Sequence, residues 1–150
     1  MTGQELMAAN PYRPWPARIT SITELTATEK LFEFRLIDER IREAFRHEPG
    51  QFVELTIFGV GEAPISISSS PSKRGFIELC VRRAGAFTKV LHEMQCGDVV
   101  GLRGPFGRGF PIEDMKGHDI LLVAGGLGIA PLRSLINNIH DERSEFGKVT

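Results

Sequence analysis

Long apolar runs are missing from this sequence, and their absence excludes the most. No stretch of the 150 residues approaches the roughly 20 consecutive apolar residues that a membrane-spanning helix requires, so no membrane insertion is expected. Met1 to Asn10 has neither the basic block nor the apolar block of a secretory signal, and the cytoplasm is the expected compartment. Net charge is nearly absent too. Eighteen Lys and Arg against 19 Asp and Glu leave −1, which gives no electrostatic reason to expect nucleic acid or an anionic bilayer as partner. Cysteine is scarce: Cys80 and Cys96 are the two thiols and lack metal-ligand spacing, so reduced structural cysteines are expected. His47, His92, His118 and His140 are scattered without an H-E-x-x-H or paired pattern, and no metal site is expected. What remains, 41% hydrophobic and 25% charged, is ordinary for a well-packed globular domain.

One stretch, Asp119 to His140, carries three agreeing signals for a nucleotide site. Ile120 to Ala124 (ILLVA) is an unbroken apolar run, the pattern of a strand covered by helices on both faces. It ends in Gly125-Gly126-Leu127-Gly128, where glycine permits positive φ and leaves no Cβ to block a phosphate. A helix follows. Leu132, Leu135, Ile136 and Ile139 fall at i, i+3, i+4 and i+7, and Pro131 suits the first helical position. Free amides and the positive end of a helix dipole then converge on an anion. Gly126 and Gly128 supply the first two positions of the G-x-G-x-x-G fingerprint, but Pro131 stands in place of its third glycine.

The residues before this stretch read as β-structure. Residues 1 to 14 lack periodicity and are expected to be a frayed leader. Ala17 to Leu25, Lys30 to Ile37, Gln51 to Phe58, Pro64 to Ser70, Phe76 to Arg83 and Asp98 to Arg103 alternate with period two, giving six expected strands. In the fourth, Ile65 and Ile67 alternate with Ser66 and Ser68, so one face is a row of hydroxyls available to water or a ligand. Ile41 to His47 is polar and mixed. Phe87, Val90, Leu91 and Met94 mark one short helix over Ala86 to Gln95, with Gly97 as its stop. Gly104 to Pro111 is too rich in Gly and Pro for regular structure. Six short, closely spaced strands indicate a small antiparallel barrel over residues 15 to 113. From residue 114 the pattern changes to a parallel βα unit, and Val149-Thr150 would open its next strand. One such strand and helix cannot bury their own apolar faces, so residues 114 to 150 are expected to be the start of a truncated Rossmann-like α/β domain.

The order of barrel, G-P-F-G loop and G-G-x-G-x-A-P turn resembles the ferredoxin–NADP reductase superfamily over residues 15 to 150. Gly61 to Ser70 (GEAPISISSS) and AGGLGIAPLRSLI most resemble its hydrogenase or sulfhydrogenase gamma and anaerobic sulfite reductase flavin subunits. The resemblance implies a barrel that holds FAD and a following domain that holds NAD(P)H. The superfamily's Arg-x-Tyr-Ser/Thr flavin motif falls on Ala63-Pro64-Ile65-Ser66, with Ala63 in place of the arginine and Ile65 in place of the tyrosine. Ser66 matches the hydroxyl residue near flavin N5 and is the implied catalytic residue. Cys80-Val81-Arg82 matches the strand lining the flavin, and Gly85-Ala86-Phe87-Thr88 the turn and helix start that receive the pyrophosphate. With no arginine at Ala63, Arg82 or Arg83 and the amides of Phe87 and Thr88 are the candidate partners of its charge. Gly125, Gly126, Gly128, Ala130 and Pro131 correspond to the nicotinamide-nucleotide motif.

The implied function is electron transfer between NAD(P)H and an iron–sulfur partner subunit, by hydride exchange between nicotinamide and flavin followed by single-electron release. A [2Fe–2S] cluster is expected only beyond Thr150, and hydride transfer by residues 1 to 150 alone is expected to be weak or absent. Two alternatives stay open: an electron-transfer subunit of dihydroorotate dehydrogenase or an oxygenase reductase, and a non-catalytic β-barrel docking module.

Overall fold

A computed structural model describes residues 2–150; Met1, the first residue of the expected leader, lies outside them. Period-two alternation becomes six strands: β1 (Trp15–Glu24), β2 (Glu29–Leu36), β3 (Phe52–Ile57), β4 (Gly61–Ser66), β5 (Ile77–Arg82) and β6 (Val99–Phe106). They form one antiparallel sheet in the order β4-β3-β6-β1-β2-β5. Inward positions carry Ala17 and Ile19, Phe32 and Phe34, Val53 and Leu55, Ile77 and Leu79, and Val100 and Leu102, all essentially without solvent exposure. This single apolar core is what curls the sheet, since every strand must turn the same kind of face inward.

The edge strands β4 and β5 do not meet in a continuous ladder. They are joined by the bridge Ile67↔Leu79 and by the Ser68 amide, which donates to the Glu78 carbonyl at 2.8 Å. β4 starts earlier and stops earlier than its alternation predicts, at Ser66 rather than Ser70. The reason lies in the next residues: Ser68, Ser69 and Ser70 are buried and bond a helix outside the sheet. β6 shows the opposite deviation. It runs through Gly104 and Pro105 to Phe106, which pairs with Phe52 across a register shift, so part of the expected loop is strand.

Two helices join the expected one, α3 (Ala86–Glu93), against the barrel. α1 (Gly3–Ala9) occupies the segment read as a leader and is closed by a capping box, the Thr2 hydroxyl accepting from the Glu5 amide and the Glu5 carboxylate from the Thr2 amide. α2 (Glu39–Ala44) is capped by Asp38, whose carboxylate accepts from the Arg40 and Ile41 amides. The two helices touch at Gly3, where a Cβ would sit 2.3 Å from the Arg40 carbonyl oxygen and 2.5 Å from the Ala44 Cβ. α2 buries only Ile41 completely, so it leaves no apolar period in the sequence.

The last part of the chain contains α4 (Ile112–Met115), a 3-10 turn at Gly126–Gly128, and α5 (Ile129–Asp141). Ile120, Leu135, Ile139 and Phe146 form a second small core there. Ile120 to Ala124 was expected as a strand covered on both faces, and the structure corrects this. It makes one parallel bridge, Ile120↔Val149, and α5 covers one side only, leaving Leu121 72% and Val123 79% exposed. Pro131 is the third residue of α5 rather than the first, because the 3-10 turn starts the helix earlier. Its missing N–H still falls in the first turn, where no intrahelical partner exists. No helix among the described residues is long and apolar enough to cross a membrane.

The barrel core is the main source of stability. Leu79→Ala, at a position with no solvent exposure, should lower unfolding free energy by about 2–5 kcal/mol, read from urea denaturation with an unchanged slope.

Candidate functional site

β5 has two unlike faces, and its outer one begins the site. Ile77, Leu79 and Val81 enter the core, so Glu78, Cys80 and Arg82 project outward in a row. Beyond Arg82 the chain turns through Ala84 and Gly85 into α3. Beside it, β4 ends in Pro64, Ile65 and Ser66. Above both stand Leu127, Gly128, Ala130 and Pro131, from the 3-10 turn and the first turn of α5. These elements enclose a cleft of about 360 Å³.

The cleft therefore unites most of the residues singled out in the sequence: Pro64, Ile65 and Ser66; Cys80, Val81 and Arg82; Thr88; and Gly128, Ala130 and Pro131. Ala63, Gly85, Phe87, Gly125 and Gly126 do not line it. Ala63 is paired with Leu55 inside the sheet, and the Phe87 ring packs against the barrel core, leaving its amide as the group on offer. Gly126 takes φ +54°, which only glycine adopts freely, and the space where a Cβ would stand at Gly125, Gly126 or Gly128 is open to 4 Å.

The polar groups divide into engaged and free. Ser66 has a hydroxyl with no hydrogen bond to the described residues. The rest of the expected hydroxyl row is occupied: Ser68 donates to the Ala130 carbonyl at 2.9 Å, and Ser70 to the Asp141 carboxylate at 2.8 Å. The Ser69 hydroxyl accepts from the Glu78 amide at 3.2 Å. The Thr88 hydroxyl is likewise consumed, accepting from the Ala84 and Gly85 amides at 2.9 and 3.0 Å and donating to the Gly85 carbonyl at 3.1 Å. The first intrahelical bond of α3 is Lys89 N–H to Gly85 C=O, so the amides of Ala86, Phe87 and Thr88 lie ahead of the ladder at the positive end of the helix.

Arg82 is the cation in the cleft, and it is held. Its Nε donates to Glu29, which also receives hydrogen bonds from Thr26 and Thr28. The Thr26 hydroxyl, then the Arg82 guanidinium and the Thr28 hydroxyl, pull the Glu29 carboxyl down to about 2. Arg83 forms no ion pair among the described residues. The Cys80 thiol is pushed up, first by burial and then by the Glu29 charge, so it stays protonated and acts as a small apolar surface. Among the described residues no group of three or more His, Cys, Asp or Glu side chains is placed to hold a metal ion.

One cluster was not foreseen. Arg133 of α5 reaches Glu78 at 2.5 Å and the Ser68 carbonyl at 3.0 Å, 55 and 65 residues away. No local pattern marks a pair so distant in sequence.

The family model described as oxidoreductase FAD-binding domain matches residues 16–110. The chain is 49% identical to sulfhydrogenase 1 subunit gamma of Pyrococcus furiosus, covering 100% of this chain and 52% of that protein. It is 53% identical to sulfhydrogenase 2 subunit gamma of the same organism, covering 85% and 44%. A probable dihydroorotate dehydrogenase B (NAD(+)) electron transfer subunit of Methanothermobacter thermautotrophicus is 47% identical, covering 61% and 34%. This chain thus spans about half the length of the sulfhydrogenase subunits it matches. Among solved structures, phthalate dioxygenase reductase superimposes with a TM-score of 0.74 at 20% identity, covering 99% of this chain and 44% of that one, which is a likeness of fold.

Two outcomes follow from the cleft. Iodoacetamide should alkylate exposed Cys96 well before Cys80, whose thiol is buried and shifted up, as peptide mass mapping will show. The Glu29 value in the folded state lies below the ordinary 4.5, so its contribution to stability is complete above pH 4.5 and is lost as pH falls towards 2. A carboxyl-resolved NMR titration of Glu29 checks this.

Proposed function

The chain belongs to the oxidoreductase FAD-binding domain family, and on that premise we propose that it is the flavin-holding part of a cytoplasmic electron-transfer subunit working between NAD(P)H and an iron–sulfur partner. The observation that carries this reading is the single cleft in which Ser66, Arg82, the start of α3 and the glycine turn all meet.

The residues present fit a flavin dinucleotide. Pro64, Ile65 and the protonated Cys80 offer apolar surface to a planar ring system, and the free hydroxyl of Ser66 offers it one polar contact. A diphosphate carries two charges that need cationic or N–H partners. Ala63 supplies none. Arg82, oriented by Glu29, and the unpaired amides of Ala86, Phe87 and Thr88 take its place. When bound, a flavin supplies the ability to accept a hydride and release electrons one at a time. The chain's own part is to seat the rings on β4 and β5, hold the phosphates at α3, and keep water out with Leu127 and Pro131. The open glycine backbone from Gly125 to Gly128 is suited to the phosphates of a nicotinamide nucleotide. Two lone thiols, one of them buried and held protonated, fall short of the set of thiolates an iron–sulfur centre needs, so that centre would rest on other groups.

A second reading, that the electron partner oxidises dihydroorotate, is favoured by the likeness to the archaeal electron transfer subunit. The proteins that co-purify with the native subunit distinguish the two.

The purified protein should show the absorption bands of oxidised flavin. A colourless, folded sample that takes up no FAD would mean a docking module instead. Arg82→Ala should weaken FAD binding about 10- to 100-fold, the usual worth of a hydrogen bond to a charged group, as measured by quenching of FAD fluorescence.

A further inference from the structure

Among the described residues, the polar links between α5 and the barrel leave one side of the helix. The Ala130 carbonyl accepts from Ser68 Oγ at 2.9 Å, Arg133 Nη1 donates to the Ser68 carbonyl at 3.0 Å and to Glu78 Oε2 at 2.5 Å, and Ser134 Oγ donates to the Ser69 carbonyl at 2.6 Å. Asp141, one end of the same stripe, accepts from Ser70 at 2.8 Å and also from Ser72. Ser72 and Ser70 hold its carboxyl below the usual carboxylate range, so it remains an acceptor. This seam adjoins the cleft: Ala130 lines it, and Ser68, Glu78 and Arg133 each lie two residues from a cleft residue, Ser66, Cys80 and Pro131. Within it, Arg133 is the α5 side chain that reaches both the segment after β4 and a side chain of β5.

Glu78 is otherwise a poor choice for its strand. Its register partner across β2 is Glu33, and like charges directly opposite one another destabilise a sheet. A neutral residue would serve the sheet better. The acid is explained by the guanidinium that reaches it from α5, with Arg133 and Glu78 side chains 35% and 20% exposed.

We infer that Arg133 and Glu78 are a positioning pair, which sets the distance between the flavin-binding floor of the cleft and the glycine turn that receives the nicotinamide nucleotide. Neither touches the reacting groups. This rests on the functional reading above, and it adds that the two nucleotide edges are held at a fixed spacing by a charged pin and do not hinge freely. Small displacements of reacting groups lower rates steeply, so the pair acts on the hydride step while leaving flavin binding intact.

The test uses the full-length, flavin-loaded subunit with Glu78→Gln, Arg133→Met and the charge swap Glu78→Arg with Arg133→Glu. Flavin content, visible spectrum and reduction by dithionite should match the parent protein in all of them. Flavin reduction at saturating NADH or NADPH, followed by stopped flow, should slow about 10-fold or more in each single variant. It should recover substantially in the swap. Single variants that keep full flavin and are reduced at the parent rate would overturn the positioning role while leaving the functional reading intact. Rates that fall only in proportion to lost flavin would also overturn it. A parent protein that binds flavin but is not reduced by either nucleotide, or that binds none, would overturn both.

Discussion

A carbonyl oxygen shut away from water must find donors, and the Ser69 carbonyl is the one on which this architecture turns. It accepts from the Ser134 hydroxyl at 2.6 Å and from the His47 ring at 3.0 Å. Burial holds His47 below the usual imidazole value, which keeps the ring neutral, with Nε2–H as the donor. Because one donor comes from α5 and the other from the loop before β3, the segment after β4 takes its shape only when both are docked. That shape decides where β4 ends, and hence where Ser66 stands. The cleft is therefore a product of packing between two units of structure, and neither builds it alone.

The formal charge of −1 conceals how the charges are used. Arginine–glutamate pairs join residues remote in sequence: Arg82 with Glu29, Arg133 with Glu78, and Arg103 with Glu62. The third also reaches the Pro11 carbonyl at 2.8 Å, fastening the N-terminal segment to β6. Arginine suits this work because its planar fork can serve a carboxylate and a carbonyl together. At the cleft the same arrangement has a second effect: the Glu29 clamp fixes the Arg82 guanidinium and partly offsets its charge.

Much of the barrel was legible because a period of two has few competing explanations. Phe32, Phe34 and Leu36, or Val53, Leu55 and Ile57, admit one reading, and the strands lie where they point. The helices over residues 3–9 and 39–44 were not legible from periodicity, since short capped helices can form with hardly any apolar stripe. The signals that were present are the caps, Thr2 with Glu5 and Asp38 before its first turn. For the site, the glycine turn and the Gly85–Thr88 turn were readable because each is a local backbone device. The partnership of Arg133 with Glu78 was not, because only the folded chain brings a helix onto the outside of β5. The run at Ile120 misled for a related reason: an apolar run reports that a strand can be covered twice, while Leu121 and Val123 face open solvent in this chain.

β5 has four duties on six residues: its odd positions fill the barrel, and its even positions meet α5, floor the cleft and present a cation. Sliding it by a single residue would exchange the two sets, driving two charges and a thiol into an oily interior and turning Ile77, Leu79 and Val81 towards the cleft. Side chains along it can be altered one at a time, but its length is not free to change. An insertion or deletion between Ile77 and Arg82 would cost the fold and the cleft together.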